Sequence, residues 1–155
     1  MQTVQEAFDR VAVHLATQGA TSRDADGAGA LRGKMGMKCG VGCLMDDDLY
    51  IPEFEASALP NVSYDDWVAG CAELLGLPPA FVKRVSEIHD ERHVYEWRDQ
   101  LWLLAQKFGL RAQILKGLQW LSREEVRSCG VCGMQGGDRW FEESLDICLV
   151  CHGEI

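Results

Sequence analysis

Two cysteine pairs near the C-terminus constrain the fold of this chain more than any other feature. Cys129 and Cys132 are separated by two residues, as are Cys148 and Cys151, and fifteen residues lie between the pairs. A two-residue spacing lets both thiolates of a pair point at one tetrahedral centre, and paired C-x2-C motifs at this separation are typical of zinc sites. The pattern predicts one Zn²⁺ ion per chain, bound by these four cysteines.

Four thiolates fill the coordination sphere of Zn²⁺, so the predicted ion is structural and not catalytic. Gly133 and Gly153 follow the two pairs and permit tight turns. Gly136-Gly137-Asp138 is typical of a turn and Arg139-Trp140-Phe141 of a strand, which predicts a hairpin between the pairs. Two other occupants fit part of the pattern. Four cysteines also suit a rubredoxin-like iron, and residues 148–152 match the C-x-x-C-H motif of haem attachment.

The rest of the composition favours a globular protein of the cytoplasm. The chain has 155 residues, of which 47% are hydrophobic, enough to form a core. Its first residues lack the basic and apolar regions of a signal peptide, and no apolar run is long enough to span a membrane. The seven cysteines are an odd number, which argues against a disulfide framework.

Apolar residues recur at helical spacing in four segments. A capping box of Thr3 and Glu6 precedes the first helix, and Gly19 ends it. Ser63 opens the second, Pro79 lies in the first turn of the third, and the fourth is predicted from Val94 to Phe108.

Three further features complete the predicted fold. The second helix is expected to bury Trp67, Cys71, Leu74 and Leu75. Residues 111–127 are expected to be helical, with a second capping box at Ser122 and Glu125. The fold class is therefore mainly α, with a helical domain over 1–127 and a β-rich zinc ribbon or knuckle over 128–155.

The net charge of −9 is unevenly distributed. No Lys or Arg lies from Cys39 to Val82, and this stretch carries eight acidic residues: Asp46, Asp47, Asp48, Glu53, Glu55, Asp65, Asp66 and Glu73. A nucleic-acid-binding chain is expected to show a basic stripe, so direct nucleic-acid binding is not expected. We expect Asp46–Asp48, Glu53 and Glu55 to form a surface for a basic partner protein, although acidic runs commonly serve solubility alone.

Several other residues admit both a functional and a structural interpretation. His89-Asp90-Glu91-Arg92-His93 resembles the H-E-x-x-H helix of zinc peptidases, but Asp replaces the catalytic Glu and no third ligand is evident. The structural interpretation is that His89 caps or packs near a helix end while His93 is solvated. Cys39, Cys43 and Cys71 are expected to be reduced and buried in the core. Trp102 falls one position off the apolar face of its helix and could anchor a partner.

Two stretches together resemble a family of uncharacterised small proteins encoded by tailed phages and bacterial genomes. The first is Arg32-Gly33 followed by Lys38-Cys39-Gly-Val-Gly-Cys43-Leu44. The second is Ile88-His89-Asp90 followed by a helix carrying Trp97, Leu101, Ala105 and Phe108, and the resemblance covers about residues 5–110. Members often have a further cysteine before the arginine, where this chain has Gly and Ala, which argues against a three-cysteine metal site around Cys39. The resemblance implies a phage or prophage origin and no particular activity.

These observations lead to one functional expectation and two alternatives. We expect a non-enzymatic, phage-encoded zinc protein that binds and modulates a protein of the bacterial host, such as a defence or transcription component. The first alternative is a zinc-ribbon transcription regulator that docks on RNA polymerase or on nucleic acid. The second is a metal-dependent hydrolase that uses His89, Asp90 and His93.

Overall fold

The computed structural model of this chain describes residues 2–143 and 145–153. Within these ranges it contains five α-helices and one two-stranded antiparallel sheet, which confirms the mainly helical class. The helices are α1 (Val4–Gln18), α2 (Tyr64–Leu75), α3 (Pro79–Glu91), α4 (Trp97–Phe108) and α5 (Leu149–Gly153), and the strands are β1 (Arg127–Ser128) and β2 (Gln135–Gly136). None of the helices in the described ranges is long and apolar enough to cross a membrane.

Local capping signals define the ends of the first four helices. The Thr3 hydroxyl accepts a hydrogen bond from the Glu6 backbone N–H, and the Glu6 carboxylate accepts one from the Thr3 backbone N–H. Ser63 caps α2 through the Asp66 backbone N–H. Gly19 ends α1 in the left-handed region, as glycines also do after α2 and α4. These boundaries confirm the predicted ones, except that α4 begins at Trp97, after a 3₁₀ turn over Val94–Glu96.

The core lies where α1, α3 and α4 pack together, with α2 against α3. Its largest fully buried side chains include Trp97, Phe8, Phe81, Leu15, Ile88 and Leu101. Trp97 stacks on His89 with ring centroids 5.8 Å apart. The irregular segment between α1 and α2 completes this core with Leu31, Val41 and Met45. Gly42 is needed in this segment because a Cβ at that position would collide with the Leu31 carbonyl.

Two helical predictions are corrected by the structure. Residues 111–127 form only two 3₁₀ turns, Gln113–Gly117 and Arg123–Glu125, because Gly117 interrupts the run. The capping box of Ser122 and Glu125 is present.

In α2 the buried face consists of Val68, Cys71, Ala72 and Leu75. Trp67 is only half-buried, and Leu74 is 37% exposed. The predicted face was therefore wrong by about one position, which leaves two large apolar residues at the surface.

Candidate metal centre

The four predicted cysteines converge in space. Cys129 and Cys132 lie in the turn that joins β1 to β2, Cys148 precedes α5, and Cys151 lies within α5. Their four Sγ atoms all lie within 4.8 Å of one another, and Cys132 Sγ is 3.7 Å from Cys148 Sγ. Sulfurs at the corners of a tetrahedron around zinc, each about 2.3 Å from the ion, are separated by about 3.8 Å. The chain is therefore folded to hold one metal ion at this position.

Backbone N–H groups around the four cysteines stabilise negative charge on the sulfur atoms. Cys129 Sγ accepts hydrogen bonds from the backbone N–H groups of Val131 (3.4 Å), Cys132 (3.5 Å) and Cys148 (3.3 Å). Gly133, with a φ of 77°, supplies the left-handed turn that returns the chain to β2. Lys34 also brings its ammonium group 3.9 Å from Cys151 Sγ. These donors favour thiolates over neutral thiols.

The cysteine pKa values show the cost of crowding four thiols without a cation. For Cys129, burial opposes ionisation, but the N–H donors outweigh it and lower the pKa to about 6. Burial and the neighbouring thiols raise the pKa of Cys151 to about 12. Burial likewise raises the pKa of Cys132. The Cys129 thiolate forms readily while Cys132 and Cys151 resist ionisation, and a bound divalent cation would remove that conflict.

A hairpin is present, but it does not lie between the two cysteine pairs, where it was predicted. It encloses the first cysteine pair, with Arg127 opposite Gly136 and Ser128 opposite Gln135. Asp138–Trp140 forms a 3₁₀ turn and not a strand, and Phe141 pairs with Cys148 through an isolated bridge. Because each strand has two residues and α5 carries Cys151, the four-cysteine cluster is confirmed but a β-rich ribbon is not.

The metal-binding segment packs on the end of α1 and the residues that follow it. Its small hydrophobic cluster includes Ala20 and Met37 together with Met134, Phe141 and the ligand cysteines. The Thr21 backbone N–H donates to the Gln135 carbonyl (2.8 Å), and the Trp140 indole N–H donates to the Gln18 carbonyl (2.9 Å). The boundary at residues 127/128 stays a prediction, since residues on both sides of it build this cluster.

His89, Asp90 and His93 do not form a metal site in the described part of the chain, where the four cysteines are the only such group. α3 ends at Glu91, so His93 lies beyond the helix and does not share a face with His89. His89 is fully buried, its Nε2 accepts from the Ser22 backbone N–H (2.8 Å), and its Nδ1 lies 2.5 Å from an Asp90 carboxylate oxygen. Both ring nitrogens therefore contact groups within the fold, in agreement with the structural interpretation of His89.

His93 is exposed, as expected, and its Nδ1 lies 2.7 Å from the side-chain amide nitrogen of Gln135.

The other three cysteines form no disulfide, as predicted. Cys39 and Cys71 are buried, whereas Cys43 is half-buried. Burial is the main cause that raises the pKa of Cys39, that of Cys43 to about 12 and that of Cys71 to about 11. These thiols stay protonated at neutral pH, as buried packing cysteines do, and they belong to no group of metal-ligating side chains among the described residues.

Basic residues from outside the acidic stretch pair with Asp46 and Asp47 at its N-terminal end. Arg10 lies 3.6 Å from Asp46, while Arg32 and Lys38 lie 3.2 and 3.5 Å from Asp47. These exposed ion pairs contribute little to stability but reduce the negative field around Asp46 and Asp47.

The remaining candidate partner-binding carboxylates differ in their environment. Glu55 is half-buried and accepts from the backbone N–H groups of Leu31 (2.5 Å) and Arg32 (3.5 Å), so it anchors the irregular segment. Asp48 and Glu53 are exposed and form no ion pair with any residue that the structure describes. They are the members of the predicted acidic surface that keep their charge unpaired.

Trp102 is 50% exposed, as its position predicted. It lines a shallow cavity with Arg98, Asp99 and Lys116, so its surroundings are of mixed charge.

An apolar groove that the sequence did not predict lies beside α2. Its lining residues come from α2 and the preceding irregular segment: Phe54, Leu59, Val62, Asp66, Trp67, Gly70, Cys71 and Leu74. The Trp67 indole N–H donates to the Phe54 carbonyl (2.7 Å) and fixes the two walls. The signal in the sequence was the position of Leu74, which does not share the buried face of α2.

No protein-family model, curated protein or solved structure matches this chain.

Proposed function

We propose that this chain is a non-enzymatic zinc-binding protein of phage or prophage origin that binds a host protein in the bacterial cytoplasm and modulates its activity. The observation that carries the proposal is the convergence of four cysteine sulfurs on one closed centre. A closed site binds its metal for structure, and it leaves no position for a substrate or an activated water.

The donor set supports zinc as the occupant. Four thiolates in a tetrahedral arrangement suit Zn²⁺, which has no redox chemistry and stabilises small folds of this kind. Cys129, Cys132, Cys148 and Cys151 would hold it. The pairing of all four thiols also argues against haem, which would need Cys148 and Cys151 free for covalent attachment.

The environment of His89 argues against the hydrolase alternative. A general base or a metal ligand needs a ring nitrogen that can reach a substrate or an ion. His89 is fully buried, and both its nitrogens have intramolecular partners. A binding protein is the simpler proposal.

Charge supports a basic protein partner over nucleic acid. The chain has 24 acidic and 15 basic side chains, and Asp48 and Glu53 stand unpaired at the surface. A negative surface accelerates association with a positive one, and salt weakens that effect. Defence and transcription proteins that bind nucleic acid present such positive surfaces, so they are the partners that we propose.

One observation supports the transcription-regulator alternative. Val131, at the tip of the metal-binding turn, is 65% exposed. An apolar side chain presented by a rigid metal-bound turn is a plausible contact for a larger protein such as RNA polymerase. Loss of binding on Val131→Ser would favour this second candidate.

Two measurements on the purified protein test the proposal. Elemental analysis should find one zinc per chain, and one equivalent of iron or a haem spectrum would contradict it. Tagged protein should retain a specific host protein from bacterial lysate. Retention should weaken with salt and with the double variant Asp48→Asn, Glu53→Gln.

The paired variant Asp46→Asn, Asp47→Asn is the matched control. It removes the same charge from carboxylates that already have basic partners. A smaller loss of binding is expected for it than for the first double variant. Tight binding of duplex DNA at physiological salt would overturn the proposed partner class.

A further inference from the structure

We propose that the groove beside α2, lined by the eight residues named above, is the docking site for a basic, amphipathic helix of the partner. This inference rests on the proposed function, because it names the surface and the partner chemistry through which the protein would bind. Three observations carry it: the apolar lining, the sign of the surrounding charge and a glycine inside α2.

The lining is apolar and open to solvent. Seven of its eight residues have no charged side chain, and Asp66 is the exception. Val62 is 43% exposed and Leu74 is 37% exposed, so large apolar side chains stand at the rim where water would otherwise cover them. The cavity volume of about 200 Å³ is below the range of about 300–1,000 Å³ that is typical of small-molecule sites. It is suited to one or two anchoring side chains of a protein partner.

The charge around the groove is of one sign. Residues 52–75, which build both walls, contain Glu53, Glu55, Asp65, Asp66 and Glu73 and no Lys or Arg. Lys83 from α3 pairs with Asp65 at 3.1 Å, but the other exposed carboxylates of these walls, Glu53, Asp66 and Glu73, have no ion-pair partner in the described ranges. An apolar stripe flanked by carboxylates is complementary to a helix with an apolar face bordered by Lys and Arg.

Gly70 lies inside α2, where glycine is less favourable than alanine. Its backbone is in an ordinary helical conformation, and a Cβ built there would meet no atom within 4 Å. The fold itself therefore gives no steric reason for a glycine at this position. A missing side chain on the wall of a groove lets another helix approach the backbone closely, as small residues do at helix contacts.

The groove-lining residues of α2 form a stripe that is long enough to contact a second helix. Asp66, Trp67, Gly70, Cys71 and Leu74 recur at helical spacing along one side of α2. Asp66 and Leu74 are eight positions apart, which corresponds to about 12 Å along the helix, or a little over two turns. A partner helix lying along this stripe would place apolar side chains at positions i, i+3 or i+4, and i+7 into the groove.

The test uses a fluorescently labelled leucine–lysine peptide of about 15 residues with an amphipathic helical pattern, and a leucine–glutamate peptide of the same pattern. We expect the basic peptide to bind the zinc-loaded protein and the acidic peptide not to bind. Gly70→Leu should weaken binding at least about tenfold, because the new side chain fills the groove.

Ala69→Leu is the matched control. Ala69 is the exposed neighbour of Gly70 on α2 and does not line the groove, so the same apolar side chain there should leave binding within about twofold. Circular dichroism of both variants establishes that the helices are retained. Equal binding by Gly70→Leu and wild type, or equal binding of the two peptides, would overturn the groove proposal.

The host-protein capture experiment separates the two proposals. If the wild type captures a host protein and Gly70→Leu captures it equally well, the proposal that the groove is the docking site is wrong and the proposed function stands. If the wild type captures nothing specific, the proposed function fails. Loss of that capture by Gly70→Leu, with retention by Ala69→Leu, supports both.

Discussion

The helical body and the C-terminal segment bury their cysteines for different physical reasons. In the body, Cys39 and Cys71 lie among apolar side chains, which raises their thiol pKa values. In the C-terminal segment, Cys129 is equally buried, yet three backbone N–H groups outweigh burial and lower its pKa to about 6. Burial alone therefore does not distinguish a packing cysteine from a ligand. The convergence of four sulfurs within 4.8 Å of one another does.

The two regions should also derive their stability from different sources. The body contains four of the five helices of the described chain and the larger hydrophobic cluster. The C-terminal segment has two-residue strands, one five-residue helix and a small cluster that it shares with Ala20 and Met37. Because so little apolar burial offsets the entropy of ordering the segment, we expect metal binding to contribute most of its folding free energy.

The largest expected effect comes from removing one ligand. Cys132→Ser should release the metal and unfold the segment from Arg127 onward, because a structural zinc site contributes on the order of 10 kcal/mol of apparent binding free energy. Elemental analysis would measure the loss of zinc. Amide hydrogen exchange should show lost protection in residues 127–153 and retained protection in α1, α3 and α4.

Cys43→Ser is the matched control for this prediction. Cys43 Sγ donates to the Gly40 carbonyl at 3.0 Å, a bond that a serine hydroxyl can replace. Zinc content should stay at one per chain. If Cys132→Ser kept its metal, or if Cys43→Ser lost it, the division of the cysteines between the two regions would be wrong.

A smaller effect is expected from opening the core of the body. Trp97 is fully buried and stacks on His89, so Trp97→Ala should lower the free energy of unfolding by about 3–5 kcal/mol. Urea denaturation followed by circular dichroism would measure it. Trp102→Ala, five residues along the same helix and 50% exposed, should change the same quantity by less than about 1 kcal/mol. Similar losses for both variants would contradict the assigned core.

What the sequence predicted correctly depends mostly on residues close together along the chain. Thr3 and Glu6 cap α1 within one turn, and the spacing inside each C-x2-C pair predicted the ligands. What it missed depends on distant partners. Ser22 meets His89 across 67 positions, and Arg10 reaches Asp46 across 36, neither of which any local pattern encodes.

The positions of the hairpin and the groove likewise could not be predicted from local sequence patterns. Arg139-Trp140-Phe141 has the residue types of a strand, but pairing is set by the return of the chain after Gly133, which places β2 at Gln135. The groove needs two walls, and its second wall comes from residues 52–62, which have no periodicity to read. Its local signs are Leu74, which lies off the buried face of α2, and Gly70 inside the same helix.

The smallest expected effect concerns one of the contacts that join the two regions. The Gln135 side-chain oxygen accepts from the Val94 backbone N–H at 3.1 Å, and Val94 is 3% exposed. Gln135→Ala would keep the backbone bonds to Thr21 but leave that N–H without its acceptor, at a cost of about 1–3 kcal/mol. Gln135→Glu retains an acceptor oxygen and serves as the control. Amide exchange at Val94 is the direct measurement, and it should accelerate in the alanine variant and stay near wild type in the glutamate variant. If neither variant alters exchange at Val94 or the unfolding free energy, the Gln135 side chain does not couple the C-terminal segment to the helical body, and the coupling rests on their other contacts, such as that of Trp140 with Gln18.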